Sequence, residues 1–194
     1  MKAGRIKLAL VLAVFLGPLL ASFVWYYGFG ASFAPRARAN HAPLVSPAIP
    51  LAEFSNNGGG GEVFDLGMLR HKWNVAHVLP AQCGADCEKA LYHTRQVRIA
   101  LGRHAPRLRR IFLCPNRALL ERLAAEHPDA LRLLQSESGL EKQLAPVFKS
   151  HARGAADALL IDPLGNVMMV VPAGMDPRLL LKDLKKLLRV SRIG

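Results

Sequence analysis

Two cysteines four residues apart, in Cys83-Gly84-Ala85-Asp86-Cys87, are the side chains of this sequence best suited to chemistry. They follow a short β-type run, residues 73–79, and a loop through Pro80, and they open a stretch of helical periodicity. That order delivers both thiols to the end of a strand and the first turn of a helix. Unpaired backbone N–H groups and the positive end of the helix dipole favour thiolate there. In an ideal helix, residues four apart have Cα atoms separated by about 6.2 Å. That distance lies within the disulfide range of about 4.4–6.8 Å. Two thiolates on one helix face also make a soft site that selects Cu(I) over hard cations. The spacing alone admits a reducible disulfide and a soft-metal pair equally.

A copper site takes a further soft ligand or an imidazole. His151, in the segment before an expected hairpin, is the leading candidate, because that segment approaches the cysteine end. His77 shares a strand face with Trp73 and Val75 and reads as a packed core histidine. His93 lies about 600° around the helix from Cys87 and reads as a surface residue. Cys114 closes an apolar strand and reads as a buried small hydrophobe. Met168 and Met169 fall in a strand and read as core. No Ser/His/Asp set and no paired-carboxylate spacing supports a hydrolase. The glycine run 58–61 lacks the Lys-Ser/Thr of a phosphate-binding loop.

The elements that must position the cysteine pair follow from periodicity and turn signals. The first strand, residues 73–79, leads into a helix over 83–101. A second strand spans 110–114 after Pro106, and a helix over 117–125 ends before His127-Pro128. A short strand at 130–134 and a turn or two of helix at 140–148 come next. Residues 158–161 and 167–171 flank Asp162-Pro163-Leu164-Gly165-Asn166 as a β-hairpin, its Pro and Gly placed for a type I turn. Asp176-Pro177 supplies the N-cap and first residue of a last helix with the apolar stripe Leu180, Leu184, Leu187, Leu188. Strand, helix, strand, helix, hairpin, helix is the thioredoxin-like order: an α/β fold with a central mixed sheet flanked by helices.

Upstream of this domain the chain is partitioned by charge. Residues 1–7 carry Lys2, Arg5 and Lys7, and no charge follows until Arg36. The apolar run 8–34 exceeds the roughly 20 residues that cross a bilayer and the 7–15 of a signal-peptide core. It is read as an uncleaved transmembrane anchor, although Ala37-Arg38-Ala39 has the form of a cleavage site. The excess of positive charge before it places the N-terminus in the cytoplasm and the domain in the periplasm of a Gram-negative cell. Residues 35–62 read as a Pro/Gly-rich tether, and 63–194 as the folded domain. Of 26 Lys and Arg residues, 23 follow the anchor against all 14 acids, leaving about +9 outside. Such a balance points to anionic lipid headgroups or an acidic protein. Nucleic acid is not expected, because no aromatics interleave the basic clusters and no zinc-finger or RNA-recognition motif occurs.

The anchor, the Pro-rich tether, Leu69-Arg70-His71-Lys72-Trp73-Asn74-Val75, the Cys83–Cys87 motif and Leu160-Ile161-Asp162-Pro163-Leu164-Gly165 together resemble the Sco/SenC group of cytochrome oxidase assembly proteins. The likeness covers about residues 50–190. It implies a thioredoxin-like fold, Cu(I) binding by Cys83, Cys87 and a distal histidine, and a cytochrome c oxidase subunit or another assembly factor as partner. Some relatives act instead as thiol–disulfide reductants, which makes Cys83 and Cys87 the expected reactive pair. Gly84 and Glu88 stand where the group usually has proline. Gly154 stands at the histidine position, nine residues before Pro163, with His151 three residues away. The cysteines carry over; the histidine does not.

Overall fold

The structure, a computed structural model, describes residues 2–29, 40–57, 63–191 and 193. The close of the expected anchor, the 37–39 motif and the glycine run 58–61 lie outside the described residues. The chain divides into two compact units, residues 1–39 and 40–194.

The first unit is α1 (Lys2–Val24), continued by a π-helical turn, Trp25–Phe29. Within it, Leu10–Gly28 is 19 residues long with mean hydropathy 1.9, long and apolar enough to cross a membrane. It is a candidate membrane anchor.

The second unit is built on a six-stranded mixed sheet. Its strands are β1 (Leu44–Pro50), β4 (Trp73–Val78), β5 (Leu108–Cys114), β6 (Leu131–Leu134), β7 (Ala158–Ile161) and β8 (Asn166–Val171), in the spatial order β1-β8-β7-β4-β5-β6. β4 pairs parallel with β5, and β5 with β6, while β4–β7, β7–β8 and β1–β8 are antiparallel. A separate two-stranded ribbon joins β2 (Ser55–Asn57) to β3 (Val63–Asp65), followed by a single helical turn, α2 (Leu66–Leu69).

The larger helices are α3 (Ala85–Ala100), α4 (Arg117–Glu126), α5 (Gly139–His151) and α6 (Pro177–Val190). Strand alternation sends Ile111 and Leu113 to one face of the sheet, where Leu140, Leu144 and Val147 of α5 cover them. Phe112 and Cys114 point the other way, onto Leu91 of α3 and Leu120 and Leu123 of α4. Trp73, Val75 and Leu160 meet Leu180, Leu184 and Leu188 of α6. Each of these buried leucines contributes about 1.5–3 kcal/mol, which holds the helices on the sheet.

The thioredoxin-like element order expected from the sequence is the one observed. The tether is the exception. Residues 44–50 contain Pro47 and Pro50 yet form β1, whose residues Leu44, Ile49 and Pro50 pair with Met169, Val167 and Asn166. Proline fits there because an edge strand leaves one row of N–H groups unused. Val45, Leu51 and Phe54 are buried in the core, and burying them repays the ordering of the segment. Further hold comes from Asp183 of α6, which accepts hydrogen bonds from the backbone N–H groups of His41 (2.8 Å) and Ala42 (2.9 Å). The folded unit therefore begins near Asn40 rather than at residue 63. α5 also runs to His151, past the expected end at 148, with Ser138 as its N-cap.

Candidate functional site at the start of helix α3

β4 ends at Val78, and the backbone N–H of Leu79 still donates to Leu113 O (3.0 Å) before Pro80 stops the pairing. The helix that follows has Gly84 as its N-cap, so α3 opens at Ala85 rather than at Cys83. Cys83 therefore lies two residues ahead of the helix, just before its N-cap, and Cys87 in its first turn. This placement brings their Cα atoms to 5.2 Å, shorter than two positions of one ideal helix would allow, and the sulfurs are joined in a disulfide. Cys87 is buried among Leu79, Leu91, Phe112 and Cys114, whereas Cys83 is half-buried against the same cluster.

A groove of about 670 Å³ opens beside the pair. Asp86, Cys87 and Lys89 form one side; Arg153, Gly154 and Asp157 form the other. The second wall is set by Asp157, which is 5 % exposed. Its carboxylate accepts from the backbone N–H groups of Arg153 (2.9 Å), Gly154 (3.0 Å) and Ala173 (2.9 Å). Three charge-assisted bonds clamp the loop before β7 to the loop after β8 and hold both against the cysteines.

Beneath α3 lies a buried polar network. Arg110, fully buried on β5, donates from Nη2 to Leu91 O (2.6 Å), from Nε to Thr94 Oγ1 (3.3 Å) and from Nη1 to Asp129 (3.2 Å). Its guanidinium also stacks over Phe112, 4.8 Å from the ring centre. The Thr94 hydroxyl donates to Leu91 O (3.1 Å), so its oxygen accepts from His77 Nε2–H at 3.1 Å. Burial, and then the nearby Arg110 and His127, hold the His77 pKa down at about 3. Burial likewise pushes the Cys114 thiol up to about 12.

The structure thus brings Cys83 and Cys87 together. His151 does not line the groove with Cys87. It is the last residue of α5, exposed, and its Nδ1 bonds Ser150 Oγ (2.7 Å) and Val147 O (3.2 Å). Gly154 is among the residues that line the groove with Cys87. His77 and Cys114 are core residues as expected. His93, expected at the surface, is half-buried beside His77 and Met175 because α6 packs alongside α3. Reduced, Cys83 and Cys87 would supply two thiolates, but the wall at Gly154 offers no side-chain donor. Among the described residues no group of three His, Cys, Asp or Glu side chains converges on a metal position. A three-donor copper set is not assembled.

Sequence reasoning missed Asp157 and Arg110. An Asp ahead of an apolar strand is visible in the sequence, but its donors are backbone groups of residues 153, 154 and 173, which no side-chain pattern marks. Arg110 was hidden inside a run that reads as a plain apolar strand.

A mixed sheet between helices, with a cysteine pair at the strand-to-helix junction, defines a thioredoxin-like domain. Residues 73–191 match the family described as "Transmembrane-like, thioredoxin-like, C-terminal domain", and the chain belongs to it. No curated protein is significantly similar in sequence. Among solved structures, the copper-bound ScoI of Bradyrhizobium japonicum is similar at 19 % identity and a TM-score of 0.54, over 72 % of this chain and 99 % of that one. Copper-bound yeast Sco1 is similar at 17 % identity and a TM-score of 0.60, over 76 % and 96 %. A putative thiol:disulfide interchange protein DsbE from Chlorobium tepidum is similar at 17 % identity and a TM-score of 0.54, over 73 % and 96 %. The resemblance to the Sco group read from the sequence extends to the fold, at a divergence that these identities express.

Proposed function

We propose that this is a membrane-anchored, periplasm-facing thiol–disulfide exchange protein that assists cytochrome c oxidase assembly through Cys83 and Cys87. The observation that carries the reading is the asymmetry of the pair: Cys83, ahead of the helix, is half-buried, whereas Cys87, in the first helical turn, is buried. In the reduced protein, the Cys83 thiolate attacks a disulfide of the partner, forming a mixed disulfide and releasing one partner thiolate. Cys87, deprotonated, then attacks the Cys83 sulfur, releasing the second partner thiolate and closing the bond seen here. The partner gains two electrons and the Cys83–Cys87 dithiol loses two. Likeness to Sco folds supports a partner in oxidase assembly, likeness to a DsbE fold supports thiol–disulfide exchange, and the basic residues Lys2, Arg5 and Lys7 ahead of the apolar span support the periplasmic side for the domain.

The test is a trapping experiment on the full chain with a disulfide-containing substrate peptide. Cys87→Ser should accumulate a mixed disulfide at Cys83, and Cys83→Ser should accumulate none. A Cys83–Cys87 potential below about −300 mV, in the range of inert structural crosslinks, would overturn the reading.

A second reading takes Cu(I) as cargo on the reduced pair. Two soft thiolates four residues apart, and copper-bound relatives of the same fold, favour it. Gly154 in place of a third donor weighs against tight binding.

A further inference from the structure

The end of α3 opposite the disulfide carries a second groove, of about 720 Å³, between the 3-10 turn Gly102–Arg107 and the last turns of α6. At 1.5 Å per helical residue it lies roughly 20 Å along α3 from Cys87. Its lining includes Arg103, His104, Arg107, Lys185 and Arg189, and no carboxylate. Arg107 is structural, donating to Leu188 O (2.8 Å), Ser191 O (2.8 Å) and Ile193 O (3.1 Å), which caps the end of α6. Arg103, Lys185 and Arg189 are exposed, and no salt bridge among the described residues engages them. The one acid of α6, Asp183, is buried and turned to His41.

Apolar side chains stand free at the same end. Val190, at the end of α6, is 78 % exposed; Ile99, in the last turn of α3, is 57 % exposed; Ile193 is 44 % exposed. The Arg107 bond to Ile193 O ties that last residue to the groove.

We propose that this groove and the aliphatic side chains exposed at the same end dock onto an anionic phospholipid surface. Cations without carboxylate partners would take the headgroup phosphates, and the aliphatics would enter the boundary between headgroups and acyl chains. A purely acidic protein face would satisfy the cations but leave Ile99, Val190 and Ile193 without apolar cover. The chain also carries its own candidate membrane span, which raises the effective concentration of headgroups around the domain. The inference rests on the anchored part of the function proposed above and is independent of the cysteine chemistry.

The experiment is hydrogen–deuterium exchange on the full chain in nanodiscs of phosphatidylcholine alone or with about one-third phosphatidylglycerol. Segments 99–107 and 185–193 should exchange at least five-fold more slowly on the anionic discs, and the difference should vanish in 0.5 M salt, as surface electrostatics require. Arg103→Glu/Lys185→Glu/Arg189→Glu should abolish it, and Arg103→Gln/Lys185→Gln/Arg189→Gln should weaken it. These exposed substitutions should leave exchange in β4, β5 and β7 unchanged. Equal exchange on both discs, or protection that survives the charge reversal, overturns the proposal. Protection that needs added polyglutamate instead marks a protein-docking face and overturns the lipid assignment. A chain that fails to enter discs at all removes the anchor, and this inference with it, while leaving the trapping result at Cys83 standing.

Discussion

His77 Nε2 lies 3.1 Å from Thr94 Oγ1, a bond that fastens the first core strand to the middle of the helix whose first turn holds Cys87. Only a neutral imidazole suits that position. Protonating it would place a cation beside Arg110, in a site from which water is excluded.

The consequence is a pH dependence of stability with a definite sign. His77 titrates near 6.5 when unfolded and at about 3 in the fold, so between those values the unfolded chain binds the extra proton. Stability is complete above about pH 6.5 and declines as pH falls towards 3. The loss is a few kcal/mol at most, since each pK unit is worth about 1.4 kcal/mol. Burial lowers the His127 pKa as well, and it adds to the same trend. Urea unfolding of the full chain at pH 7, 5.5 and 4.5 should show the decline, and His77→Gln should flatten it. An equal slope in wild type and variant would show that His77 is not the source.

The frame was legible in the sequence wherever one face of an element had to be apolar. The Leu180–Leu184–Leu188 stripe, the Asp162–Gly165 turn and the Asp176-Pro177 helix start each carry a local physical signal, and each is where it was expected. β1 was not legible, because its two prolines are ordinary tether residues until an edge strand exists for them to join. Its register depends on β8, more than a hundred residues later. The same non-locality hid the groove wall. Gly154 could be seen to occupy a histidine's place, but that it lines the groove with Cys87 depends on three backbone bonds to Asp157. His151 misled because a loop position by count became the last residue of a longer helix.

Thiol reactivity should divide the three cysteines. Burial raises the Cys114 thiol to about 12, so at pH 8 its thiolate fraction is negligible, and its side chain is fully enclosed. After reduction, N-ethylmaleimide should label Cys83 first and Cys87 more slowly, and mass spectrometry of the native protein should find no adduct at Cys114. Denaturation should release the third label. Labelling of Cys114 within ten-fold of the Cys83 rate would contradict the core assignment.

Gly154→His is the informative substitution for copper. A Cβ at residue 154 would sit 3.3 Å from Asp157 Oδ1, a tight contact that the loop must absorb. If it does, the new imidazole faces the reduced pair and completes a donor set of two thiolates and one nitrogen. Competition with a Cu(I) chelator should show affinity raised at least ten-fold over wild type, and Cys83→Ser in the same background should remove the gain. Unchanged affinity in a folded Gly154→His protein would mean that the wall does not approach the cysteines closely enough to ligate.

Asp157 should matter both to stability and to the exchange chemistry. Asp157→Asn leaves one oxygen to receive three backbone N–H groups and removes the charge that strengthens those bonds. The cost should be about 1–3 kcal/mol, from hydrogen bonds to a charged group lost in a mostly buried setting. For a folded unit of this size that is a fall in Tm of about 2–4 °C per kcal/mol. Thermal unfolding checks the first effect. The second follows from geometry, because freeing residues 153–157 from Ala173 widens the groove and exposes the disulfide. Reduction of Cys83–Cys87 by dithiothreitol should therefore be faster in Asp157→Asn than in wild type at a temperature where both are folded. A variant that loses stability yet is reduced at the wild-type rate would confine Asp157 to holding the loop and deny it any part in gating the pair.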